Sequence, residues 1–106
     1  SHYAPRARVV LVDPEKVIAE AELAQELGHQ VGVFLPTPFT DAPVKAHAVV
    51  AVPASMAAYA RGLYGFLREL DQQGCDLIIA SLPEEGGLGL AIANRLRRAA
   101  GPRSTA

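Results

Sequence analysis

Four short apolar runs, at residues 8–12, 30–35, 48–52 and 75–81, are separated by two helical stretches and a Pro-rich segment, and a third helical stretch follows the last run. Strands that alternate with helices of ten or more residues favour parallel βαβ units and a sheet covered on both faces. The expected fold is therefore α/β, a small Rossmann-like three-layer sandwich with a mainly parallel four-stranded sheet. The expected strand order is 3-2-1-4, with 2-1-3-4 as the rival. By domain, residues 1–7 read as a linker segment, 8–101 as the folded body and 102–106 as a frayed tail.

The first run, R-V-V-L-V, has the β-branched character of a strand buried on both faces. Asp13-Pro14 then predicts a helix start, with Asp as N-cap and Pro at the first helical position. Val17, Ala21, Ala24 and Leu27 follow at helical spacing, Glu20, Glu22 and Glu26 face elsewhere, and Gly28 suits the stop. The second run is closed by Pro36. Residues 36–46 then carry Pro36, Pro38 and Pro43 among Thr and Asp, which predicts a loop.

The third run ends at Pro53, and Ser55 is the expected N-cap of a second helix. Its inward stripe is Met56, Tyr59, Leu63, Leu67 and Leu70, flanked by Ala60 and Phe66 and closed by Gly74. After the fourth run, Pro83-Glu84-Glu85-Gly86-Gly87 leads into a last helix with Leu88, Ile92, Leu96 and Ala99 on its apolar line and Gly101-Pro102 as its stop.

With 106 residues and 50% hydrophobic letters, the chain is one domain's worth and needs neither metal nor disulfide to hold it. A single cysteine, Cys75, cannot make an internal bridge and suits the cytoplasm. No apolar run approaches the roughly 18 residues of a membrane span. The formal charge of −1 argues against a dedicated nucleic-acid binder. Neither an initiator Met nor signal-peptide zones precede the first run, which predicts a part of something longer.

Few residues point to chemistry. Gly86, Gly87 and Gly89 form a candidate anion turn, since a Gly-rich turn before a helix is where doubly wound folds bind phosphate. Ile92 stands where the dinucleotide fingerprint read from Gly87 requires Gly or Ala, and Glu84 and Glu85 repel an anion. The plainer expectation is that these acids stabilise the helix dipole and the glycines permit close packing.

Lys16 follows Glu15 and Lys45 follows Val44, so neither belongs to a P-loop. His2, His29 and His47 lie far apart and make no metal site; His29 reads as an exposed turn residue. Cys75 reads as a small buried hydrophobe, and Ser81 lacks the surroundings of a hydrolase nucleophile. Arg95, Arg97, Arg98 and Arg103 could meet RNA or an acidic partner, against the simpler reading of cations at the negative end of a helix dipole. Ser1-His2-Tyr3-Ala4-Pro5 has no strand or helix period and suits a linker that follows a defined path.

That segment matches the pattern S-x-Y-x-P. Together with Leu67-Arg68-Glu69-Leu70-Asp71, Gly74, Asp76, the stretch from Pro83 to Ile92 and the stretch from Asn94 to Ala100, it resembles the C-terminal Sua5 domain of threonylcarbamoyl-AMP synthases. The doubled Gly86-Gly87 departs from the single Gly expected there.

The resemblance implies a two-domain enzyme that makes threonylcarbamoyl-AMP and pyrophosphate from L-threonine, bicarbonate and ATP, toward the threonylcarbamoyladenosine of tRNA. It places catalysis, with its ATP and Mg, in an N-terminal YrdC-like domain, so this chain would hold no catalytic residue and no cofactor of its own. The linker carries over: Tyr3 would reach toward substrate, with Ser1 and Pro5 fixing the path, as a gate that excludes water. Partners would be that catalytic domain, tRNA or other proteins of the modification pathway, and no membrane. The alternative is a regulatory module that binds nucleotide at the turn from Gly86 to Gly89.

Overall fold

A computed structural model describes residues 4–37, 39, 41–84 and 86–101. Ser1, His2 and Tyr3 of the linker lie outside these, as do Glu85 and residues 102–106 with Arg103. The elements run β1 (Arg8–Leu11), α1 (Val17–Glu26), β2 (Val31–Leu35), β3 (Ala48–Ala51), α2 (Met56–Gln72), β4 (Leu77–Ala80) and α3 (Leu88–Ala100).

All the strand pairs are parallel, and the sheet order is β1-β4-β2-β3. This corrects the expected order of 3-2-1-4 and its rival: β1 and β4 exchange places, and the last strand inserts between β1 and β2. Burial explains the exchange. The uniformly apolar LIIA of β4 and VGVFL of β2 are buried at every position, as central strands covered on both faces must be. β1 opens on exposed Arg8 and β3 exposes Val49 and Ala51, so these two tolerate the edges.

Alternation along the strands divides the core in two. Phe34, Ile78, Ala80 and Val9 meet Leu63 and Leu67 of α2 and Ile92 and Leu96 of α3 on one face. Val31, Val33, Leu35, Leu77 and Ile79 meet Val17 and Ala21 of α1 on the other. There the loop between β2 and β3 completes the cover, with Phe39, Val44 and Ala46 packed against the cluster in place of a crossover helix. Each large side chain fully buried this way contributes about 1.5–3 kcal/mol.

The helix ends show where local signals hold and where they yield. Ser55 caps α2 as expected, accepting from the Ala58 N–H at 3.2 Å. Asp13 makes no side-chain cap: its own carbonyl accepts the Lys16 N–H at 2.9 Å, closing a single 3₁₀ turn at Pro14–Lys16 before α1 begins. Gly28 and Gly74 end α1 and α2 in the left-handed conformation, at φ of 98° and 88°. Leu27, Leu88 and Met56, expected on inward stripes, are exposed by 73%, 48% and 37%. All three stand at the ends of helices, and Leu27 lines an open groove with Val10, Leu77 and Ile79.

Candidate functional site

The structure builds a particular polar arrangement where residues 6 and 7 lead into β1. Asp71, in the last turn of α2, is buried, and its two carboxylate oxygens accept the backbone N–H groups of Arg6 at 2.9 Å and Ala7 at 3.0 Å. The next N–H, of Arg8, bonds to the Asp76 carbonyl at 3.1 Å. Three successive amides are thus satisfied by fixed acceptors, and the chain enters the fold on a set course. Pro5, the described member of the linker set Ser1, Tyr3 and Pro5, lines a groove of about 590 Å³ with residues 6–9 of the entering chain and Ala99 and Ala100 at the end of α3.

Sequence reasoning quoted Asp71 within a block of letters and gave it no role. The available signal was an acid at the negative end of an apolar helix, which the helix itself does not favour. Asp76 was overlooked in the same way. Its carboxylate accepts the Gln30 N–H at 2.8 Å and meets His29 Nδ1 at 3.1 Å, tying the turn before β2 to the start of β4. Desolvation is the largest single influence on this carboxyl and pushes its pKa up. The bonds from His29 and the Gln30 N–H, the charge of His29 and the backbone N–H of Asp76 itself act the other way, and the net effect is a lowered pKa. His29 is therefore exposed, as expected, but is engaged in holding two strand ends together.

At the candidate anion turn one of the three glycines is packed against backbone. A Cβ on Gly89 would collide with the carbonyl oxygen of Glu84, so this glycine admits backbone where a phosphate was considered. Gly87 occupies the N-cap of α3 at φ 53° and ψ −125°, with no side-chain cap and no acid in the first helical turn. Gly86 faces open space. Close packing is thus present at Gly89, while Glu84 lies ahead of the first helical turn and Glu85 lies outside the described residues.

Cys75 is buried, and burial first, then the charges of Asp76 and Asp71, push its thiol pKa up, which keeps the nucleophilic thiolate scarce. Arg95 turns inward and donates to the Ala60 carbonyl at 3.3 Å, whereas Arg97, which reaches Asn94 Oδ1 at 3.5 Å, and Arg98 are exposed in the last turns of α3, and Arg103 lies outside the described residues. Among the described residues no group of three or more His, Cys, Asp or Glu side chains could hold a metal ion. Among them also, no helix is long and apolar enough to cross a membrane.

The family profile described as "Threonylcarbamoyl-AMP synthase, C-terminal domain" matches residues 1–101. The chain belongs to this family. It is 37% identical to the threonylcarbamoyl-AMP synthase of Pyrococcus abyssi over 96% of its own length and 30% of the relative's. It is also 37% identical to that of Bacillus subtilis, over 97% and 31%. The domain thus spans about a third of the curated relatives it matches.

Its fold is similar to that of P. abyssi Sua5 crystallised with L-threonine, at a TM-score of 0.82 and 35% identity over 99% of this chain and 32% of that one. The separately crystallised C-terminal Sua5 domain of Pyrococcus horikoshii matches at a TM-score of 0.68 and 32% identity, over 87% and 91%.

Proposed function

We propose that this Sua5 C-terminal domain is a non-catalytic accessory module of a threonylcarbamoyl-AMP synthase, and that it positions a linker which gates the active site of a preceding YrdC-like domain. The reaction served is the condensation of L-threonine, bicarbonate and ATP to threonylcarbamoyl-AMP, pyrophosphate and water, toward the threonylcarbamoyladenosine of cytoplasmic tRNA. ATP and Mg belong to that other domain. The observation that carries this reading is the held entry of residues 6–8, since a gate is useful only if its hinge point is fixed.

Two further facts support it. The P. abyssi relative has been crystallised with L-threonine, and also as a variant with alanine replacing an adjacent His-Tyr pair. This chain has one such pair, His2-Tyr3, directly ahead of Ala4 and Pro5. In this reading Tyr3 reaches the substrate, Ser1 and Pro5 shape the path, and the closed segment keeps water from the reactive carbamate.

The test is Tyr3→Ala in the full-length enzyme, following threonylcarbamoyl-AMP formation and pyrophosphate release separately. A fall of about tenfold or more in synthesis, with the fold intact by circular dichroism, is the expected result. Unchanged kcat and KM would remove the gate.

A further inference from the structure

We infer that Asp71 is the positioning residue through which the domain sets the course of the linker; the inference rests on the gating role proposed above. A carboxylate is a poor choice for this place on local grounds. It is buried, and it lies in the last turn of α2, at the negative end of the helix dipole. Its two oxygens are instead spent on consecutive backbone amides of a segment 64 and 65 residues earlier in the chain. Backbone amides are the same whatever side chains stand at residues 6 and 7, so the clamp fixes a position and a direction.

The support behind the clamp is rigid. Leu70, the preceding residue, is fully buried, and its side chain packs against Gly32 at the middle of the sheet. Asp71 is therefore tied to the core through its own backbone, as a positioning group should be. The lever is short: Tyr3 stands three positions ahead of Arg6, and extended chain spans at most about 10–11 Å over that distance. Without the clamp the nearest fixed amide is that of Arg8, on the Asp76 carbonyl. Exposed Arg6 then comes loose and Ala7 is left with only its buried methyl to hold it, adding up to about 7 Å of reach and a wider choice of directions to the segment bearing Tyr3. Asp71 need not touch substrate to matter; it acts through the chain it holds.

The experiment compares Asp71→Ala, Asp71→Asn and Arg6→Pro, the last removing the donor from the exposed side without entering the core. Amide hydrogen exchange in the full-length enzyme reads the clamp, and steady-state kinetics read its consequence. Exchange at Ala7 should accelerate in Asp71→Ala and Arg6→Pro while amides of β2 and β4 keep their protection, and KM for L-threonine should rise about tenfold with kcat within about twofold. Asp71→Asn, which keeps one acceptor oxygen, should fall between and partly restore KM. Should Asp71→Ala fail to fold, the other two variants carry the test.

Protection that survives at Ala7 in Asp71→Ala overturns the clamp. Fast exchange with wild-type kinetics overturns the positioning role. Tyr3→Ala in the same enzyme separates the two levels: if it impairs synthesis while the Asp71 variants do not, the inference about Asp71 falls alone, and if both are silent the linker reading falls with it.

Discussion

The guanidinium of Arg95 on α3 donates to the carbonyl oxygen of Ala60 on α2 at 3.3 Å and lies 5.9 Å from the centre of the Tyr64 ring. An arginine that the sequence groups with a basic patch is thus a cross-link between the two helices on one face of the sheet. Arg95→Ala should lower stability by about 1–2 kcal/mol through loss of both contacts. Exposed Arg98, three residues on, should change it by less than about 0.5 kcal/mol on the same substitution. Urea unfolding of the two variants checks the contrast, and equal effects would deny Arg95 its bridging role.

Gly32 is buried in β2, where a Cβ would stand 3.0 Å from both Cys75 Sγ and Leu70 Cδ1. Gly32→Ala should cost about 1–3 kcal/mol by overpacking. Cys75→Ala in the same background should return part of the loss, because it removes one of the two obstacles. Additive destabilisation in the double variant would mean that the sheet and α2 shift apart instead.

At Gly89 the obstacle is backbone, the Glu84 carbonyl, and backbone cannot rotate away as a side chain does. Gly89→Ala should therefore cost at least about 2 kcal/mol, whereas Gly86→Ala, which faces open space, should stay within about 0.5 kcal/mol. Thermal unfolding of both, with and without millimolar ATP, checks packing and ligand together. ATP-dependent stabilisation of the wild type that Gly89→Ala abolishes would revive the anion turn.

Asp76 makes stability depend on acid. Its folded pKa lies below the ordinary carboxyl value of 3.8, so its contribution is fully present above that value and is lost as pH falls through the folded pKa. The side chain is more than half exposed, so the effect is screened and small. Urea midpoints measured from about pH 5 down to about pH 2.5 should show Asp76→Asn less stable at the upper end and level with the wild type at the lower. A gap that persists at the lowest pH would mean that the amide fails for geometric reasons.

The fold class was legible because apolar runs, Ser55 and the closing glycines are local features that the tertiary structure leaves in place. Strand order was not, because it depends on which run is apolar at every position, and the guess followed the usual adjacency of sequence neighbours. Comparing RVVL, beginning with a charge, with LIIA would have favoured β4 for the centre. The site was half visible. Linker letters and the Leu67–Asp71 block marked the two partners, but only the topology brings Asp71 to Arg6, across 65 residues. Helix periodicity misled at Leu27, since a stripe continues to the last residue whether or not the groove beneath it is closed over.

Within the sheet, β1 pairs with β4 alone, while β4 also pairs with β2. The first strand of the domain therefore has no seat in the sheet until the fourth has been made. A nascent chain that stops before Leu77 leaves β1 without a pairing partner and residues 4–7 without the strand they run into. Completion of the last quarter of the domain is thus coupled to the setting of its first described residues.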